Sequence, residues 1–284
     1  MDVTRRPAQG LIPIGRDRHS GTNGPVAAVG LASSLNARTL SGDLREVPLS
    51  VRAGLLVRCR HCALSLTHSK GDVMASVGLL YVGAVLFING LMLLGKIPGK
   101  SAAVLNFFVG TMQVVFPTMI IMQANNDPAV IFGAAGLYLF GFTYLYVGIL
   151  QVTGWSGEGL GWFSLFVSAC AVVIGALQFT LIGDPVFGVI WFVWAALWFM
   201  FFLLLGLGRD SITMMTGWFT VFISHLTGTI PAFFLLLGRY ETNAGYAAAV
   251  AVLAILGLVA SYILGRGAMH RSVPERVDST PRTA

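Results

Sequence analysis

The sequence predicts an all-α fold, a polytopic helical bundle that sits in a membrane, and three observations carry that prediction. Hydrophobic residues make up 56% of the 284 residues and charged residues only 11%, with a mean hydropathy of +0.78. An ordinary soluble domain carries about 25% charged residues. Between Asp72 and Arg266 the charges fall in small groups separated by long uncharged runs. Those runs are continuously apolar and do not show the ~10-residue alternation of a membrane-spanning β-strand.

Read from charge to charge, the runs cover 73–95, 101–126, 128–157, 159–183, 185–208, 211–238 and 242–265. Each exceeds the ~20 residues a helix needs to cross hydrocarbon, and a helix satisfies its backbone polar groups within the segment. Seven spanning helices are expected. The connections are tight: Lys96 to Lys100, Asn125-Asn126-Asp127, Gly154 to Gly161, Gly183-Asp184, Gly208 to Ser211 and Arg239 to Asn243. Consecutive helices are therefore antiparallel neighbours, with no inserted soluble domain.

Residues 1–73 differ in kind. They hold ten Lys or Arg and five Asp or Glu among scattered Gly, Ser and Pro, with no run long enough to span, and read as a disordered extension. An apolar segment with a small-residue cleavage site is missing ahead of the first span, which argues against a signal peptide. Met74 at the lip of that span is the expected true start. Cys59, His61, Cys62 and His68 form a single weak pair-and-imidazole pattern with no second CxxC, so no metal site is expected.

Lys96, Lys100, Arg209, Arg266, Arg271, Arg276 and Arg282 fall on one side of the membrane and Arg239 on the other. If the chain starts near Met74, this bias places the start outside and the basic tail, residues 266–284, in the cytoplasm. A bacterial inner membrane is the expected location.

The interior of the spans contains no Asp, Glu, Lys or Arg. Ion-coupled carriers and proton pumps rely on intramembrane ionisable groups, so an ion pathway is disfavoured. A retinal protein needs a Lys in its last helix, and 242–265 has none. Neither a nucleophile with its base nor a phosphate-cradling loop appears, so no enzymatic activity, no cofactor and no nucleic-acid partner are expected.

What the interior offers is rings, amides, hydroxyls and small residues. The first two spans bring Asn89, Asn106 and Gln113, amides that either meet a solute or tie helices together, and Pro117, expected to kink its helix. In the third span Phe140 and Tyr144 share a face, and the Tyr144 hydroxyl needs a partner. The fourth span contributes Gln178 and the lone Cys170, a small packing residue. In the fifth, Trp191, Trp194 and Trp198 stack at i, i+3 and i+7 with Leu197 beside them. Rings so deep either pack between helices or line a narrow pathway. A slot between these two aromatic faces would pass a flat amide and exclude hydrated ions.

The sixth span carries His225, suited to an interhelical hydrogen bond or a pore or gating role, and Pro231, a second expected kink. Gly83, Gly90, Gly110, Gly133, Gly136, Gly141, Gly148 and Gly175 are expected at close helix contacts. Two echoes, Gly161–Ser168 with Gly217–Ser224 and Leu80–Gly83 with Leu145–Gly148, mark either repeated units or chance.

Taken together, Gly78–Gly83 with Asn89-Gly90, Asn106–Gly110, Phe140–Tyr146, and Trp191–Trp194 with Leu197-Trp198 resemble the AmiS/UreI family of bacterial amide transporters and acid-activated urea channels. The likeness covers about residues 74–238. It implies a six-helix channel core at 74–238, a hexameric homo-oligomer with one pore per protomer, passive passage of urea or short aliphatic amides, and a functional link to an amidase or urease. The pathway it implies is lined by Leu79, Val82, Leu86, Phe140, Tyr144, Trp191, Trp194, Leu197 and Trp198, with Asn89 as an added amide.

Three departures from the family pattern shape the expectation. The sixth-helix carboxylate of the urea channel falls here on Ile223, followed by Ser224 and His225. The long histidine-bearing outer loop is replaced by a turn from Gln123 to Pro128, so a pore open at neutral pH is expected. Residues 239–265 add a seventh helix whose Ala247–Ala251 and Gly257 suit packing on the exterior. The competing readings are a channel for ammonia or water, and a structural or sensory seven-helix protein without transport.

Overall fold

The computed structural model describes the backbone of residues 73–271 and the side chains through Gly267. The expected extension, with its Cys59, His61, Cys62 and His68, and the end of the basic tail lie outside the described residues. Every predicted span holds one helix: α1 Val73–Leu93, α2 Gly99–Gln123, α3 Pro128–Thr153, α4 Glu158–Ile182, α5 Pro185–Gly206, α6 Asp210–Leu236 and α7 Ala244–Arg271. Among the described residues there is no strand.

The helix ends follow from local chemistry. Asp127 caps α3, its carboxylate accepting from the amides of Ala129 at 2.9 Å and Val130 at 3.5 Å, with Pro128 at the first helical position. Asp184 caps α5 in the same manner, accepting from Phe187 N at 3.0 Å ahead of Pro185. Both pairs combine an acceptor for an orphan N–H with a residue that needs no N–H partner. α3 ends on Gly154 at φ 72°, a left-handed residue that closes the last turn.

α4, α5 and α6 each contain a wider π-helical turn, at Gln178–Ile182, Phe202–Gly206 and Ser224–Thr229. The last lies directly before Pro231, whose ring cannot fit an uninterrupted α-helical turn, so the expected irregularity in α6 takes this form. Pro117 behaves differently: α2 runs through it as continuous α-helix.

Six helices close into a circuit. α2 packs on α3, α3 on α4, α4 on α5 and α5 on α6. α1 completes it, meeting α2 through Asn89 and Asn106 and α6 through Gly83 and Gly90. At the α1–α6 crossing a Cβ on Gly228 would lie 2.7 Å from Gly83 Cα, so the two backbones touch. Gly90, Gly110, Gly136, Gly141, Gly148 and Gly175 also sit at close contacts, as expected, whereas nothing approaches Gly133 within 4 Å.

α7 lies outside the circuit, against α6 and α5. Its buried stripe is Ala247, Ala254, Gly257 and Ser261, with Gly257 against the Phe222 ring. The expected Ala247–Ala251 run is not all contact surface, since Ala248 and Ala249 are exposed. A run of five residues wraps around a helix, and only positions three, four or seven apart return to one face.

Candidate functional site

Among the described residues, two cavities enter the six-helix circuit. The larger, about 860 Å³, is lined by the starts of α1, α3 and α5, the ends of α4 and α6, and the α6–α7 linker. The smaller, about 230 Å³, is lined by the ends of α1, α3 and α5 and the start of α4. Because neighbouring helices run antiparallel, these two sets of termini belong to opposite ends of the bundle. The cavities therefore approach each other from opposite sides.

Between them stands an aromatic partition. Trp191 and Trp194 face the larger cavity, Trp198 and Tyr144 the smaller, and Phe140 lines neither. The Phe140 ring meets Trp194 at 4.8 Å and 78°, Trp198 at 4.9 Å and 82°, and Trp191 at 5.7 Å and 60°. Such edge-to-face contacts set the positive rim of one ring on the negative face of another. The slot expected between the faces of α3 and α5 is thus filled by the Phe140 ring. Trp194 and Trp198 are four residues apart on α5, so the partition is ~6 Å thick along that helix.

The remaining expected pathway residues cluster around the same place. Leu79 lines the larger cavity, Leu86, Asn89 and Leu197 the smaller, and Val82 is buried in the same apolar cluster as Phe140. Asn89 is less free than a solute ligand would be, because its amide and that of Asn106 exchange hydrogen bonds of 3.0 and 2.6 Å. Gln178 lines the larger cavity, and Gly133, open to it, leaves space where other residues would project a side chain.

His225 and Ile223 are not brought to this site. Ile223 is fully buried and lines neither cavity. His225 points to the outer flank of α6, exposed, with its ring 5.4 Å from that of Phe87. The helix positions facing inward nearby belong to Thr220, Ile223 and Thr227.

The N–H groups of Trp194 and Trp198 are already engaged. Trp194 Nε1 donates to Thr227 Oγ1 at 2.9 Å, and Trp198 Nε1 to Thr143 Oγ1 at 3.3 Å. The Tyr144 hydroxyl, in contrast, is buried with no hydrogen-bond partner among the described residues, although its side chain borders the smaller cavity. A buried orphan hydroxyl carries a desolvation cost that a polar visitor would relieve. Sequence reasoning had found Tyr144 but not Thr143 or Thr227. Thr143 lies within the quoted Phe140–Tyr146 phrase, but nothing local ties it to a tryptophan 55 residues away.

At the mouth of the larger cavity, Asp184 binds the α6–α7 linker. Its carboxylate accepts from Tyr240 Oη at 2.9 and 3.0 Å and from Thr242 Oγ1 at 2.6 Å. Burial and the neighbouring Asp184 charge push the Tyr240 hydroxyl well above its usual pKa, which keeps it a donor. No group of three or more His, Cys, Asp or Glu suited to a metal occurs among the described residues.

Residues 74–239 match the family model described as AmiS/UreI family transporter. The chain is 57% identical over 187 residues to the putative transporter protein AmiS2 of Rhodococcus erythropolis, covering 65% of this chain and 91% of that protein. It is 54% identical over 193 residues to the putative amidate substrates transporter protein of Mycolicibacterium smegmatis, covering 68% and 91%. Among solved structures, the cryo-EM structure of the Helicobacter pylori urea channel in its closed state superposes with a TM-score of 0.54 at 32% identity, covering 59% of this chain and 100% of the other. With seven apolar helices among the described residues, a six-helix circuit and a family-model match across that circuit, this chain is a multi-pass membrane protein that belongs to the AmiS/UreI family of transporters.

Proposed function

We propose that this chain is a passive channel for short neutral amides, urea among them, and that the solute crosses the aromatic partition between the two cavities. The observation that carries the reading is the back-to-back arrangement itself: two cavities from opposite ends, separated by one turn of edge-to-face rings. The membrane interior around that partition is uncharged, so a hydrated ion would lose its water with nothing to replace it. A planar amide loses less, because its faces fit between rings and its carbonyl oxygen finds the unpartnered Tyr144 hydroxyl.

Of two relatives with more than half of the aligned residues identical, one is named a putative transporter protein and the other a putative amidate substrates transporter, and a more distant one is named a urea channel. That pattern supports the amide class as a whole. Phe140 and its three tryptophans close the partition, Leu79, Val82, Leu86 and Leu197 provide its apolar collar, and Tyr144 is the polar contact. The protomers form a homo-oligomer, hexameric by family likeness, with an amidase or urease consuming the solute. The α1 start faces outside and the tail lies in the cytoplasm.

The test is permeability. The purified chain, reconstituted in liposomes and followed by stopped-flow light scattering, will pass urea and acetamide faster than empty liposomes while glycerol lags. Amide flux equal to that of empty liposomes removes the proposal. Water or ammonia flux without amide flux supports the rival small-solute channel.

A further inference from the structure

Trp194 and Trp198 are pinned by two copies of one arrangement. Trp194 Nε1 donates to Thr227 Oγ1, and Thr227 donates its own proton to Ile223 O at 2.7 Å. Trp198 Nε1 donates to Thr143 Oγ1, and Thr143 donates to Leu139 O at 2.7 Å. A hydroxyl has one proton to give. Once it is given to the carbonyl four residues back, the oxygen turned to the indole can act only as an acceptor.

The two relays come from different helices, Thr143 from α3 and Thr227 from α6, and they hold successive rings of α5. Both threonines are buried, where an indole N–H without an acceptor would be costly. Each ring is thereby restricted to the rotamer that meets its threonine. Those two rings are the ones that pack most closely on Phe140, at 4.8 and 4.9 Å.

We infer that Thr227 and Thr143 are positioning residues that fix the poses of Trp194 and Trp198 and so set the size limit of the partition for amides. The inference rests on the amide-passage reading. It also assigns a chemical consequence: with both N–H groups consumed by threonine, a passing solute meets indole faces rather than indole donors. Discrimination between amides then follows from ring spacing and from Tyr144, not from hydrogen bonds to Trp194 or Trp198.

Valine matches threonine in shape but cannot accept a hydrogen bond, whereas serine retains the acceptor. Thr227→Val, Thr143→Val, Thr227→Ser and Thr143→Ser are to be compared with the parent chain for flux of urea, acetamide and propionamide. Ultraviolet resonance Raman spectra of the same samples report whether the indole N–H is hydrogen-bonded.

The valine variants will raise the propionamide-to-urea flux ratio by roughly fivefold, the scale of one lost hydrogen bond, and will shift the indole signal to the unbonded form. The serine variants will keep both at the parent value. A parent-like flux ratio in both valine variants, despite a shifted indole signal, overturns the positioning role and leaves the amide reading intact. Serine variants that behave like valine overturn it as well. If the parent passes no amide, the amide reading and the size-limit inference built on it both fall, whatever the indole signal reports about the two relays.

Discussion

Asn89 on α1 and Asn106 on α2 face each other inside the membrane and exchange hydrogen bonds of 3.0 and 2.6 Å, and Asn106 Nδ2 also reaches Ala102 O at 2.9 Å. The pair closes the circuit between the first and second helices. Replacing Asn106 with Ala will cost ~1 kcal/mol of stability, within the range of interhelical hydrogen bonds in membranes. In a double-mutant cycle with Asn89→Ala, thermal unfolding in detergent will give losses that are less than additive.

Tyr144 offers a cleaner separation of stability from transport. Tyr144→Phe removes only a buried hydroxyl that has no partner, so stability will stay level or rise by up to ~1 kcal/mol. Urea and acetamide flux will fall roughly fivefold, because the permeating carbonyl loses its one side-chain donor at the partition. Equal flux in parent and variant would return Tyr144 to a packing role.

Phe140 packs on three tryptophans at once. Phe140→Ala opens the partition, and glycerol flux will rise about tenfold relative to urea, which corresponds to a barrier lowered by ~1.4 kcal/mol. The same truncation will destabilise the bundle by about 3–5 kcal/mol as a buried aromatic is lost. Stopped-flow flux and thermal unfolding measure the two effects on one preparation.

Flux will be the same at pH 5 and pH 7. Among the described side chains no histidine lines either cavity, and His225 sits on the outer flank of α6. At the cavity mouth the Tyr240 hydroxyl has its pKa raised by burial and by Asp184, so the folded protein holds that proton more tightly than the unfolded chain does. Its contribution to stability is present throughout the acid and neutral range and is lost only as the pH rises far into the alkaline range. Flux that appears at pH 5 alone would contradict this prediction.

Gly83 tests the α1–α6 crossing. A Cβ there would lie 2.8 Å from the backbone N of Thr229, an atom that cannot move without shifting the π-helical turn. Gly83→Ala will therefore destabilise by about 1–3 kcal/mol, the usual cost of overpacking. Gly133→Ala, which meets nothing within 4 Å, is the control and will leave the unfolding temperature unchanged or slightly higher.

Charge spacing and helical periodicity set the spans, their all-α character and the aromatic faces of α3 and α5. Those properties are local: charge spacing limits where a chain can lie in hydrocarbon, and the 3.6-residue period fixes which rings share a face. Family likeness added Leu79, Val82 and Leu86, which the structure then placed beside the same rings.

Tertiary structure alone decided how each polar group was satisfied. Asn89 turned out to be tied to Asn106, 17 residues on, Trp194 to Thr227 and Trp198 to Thr143, while Tyr144 was left without a partner. It also turned His225 outward and put the Phe140 ring in the space expected to be a slot. A hydrogen bond between helices depends on their rotation and depth relative to each other, and neither quantity is encoded in the hydropathy of one helix. It emerges only when six helices close a circuit and every buried donor competes for the few acceptors in reach.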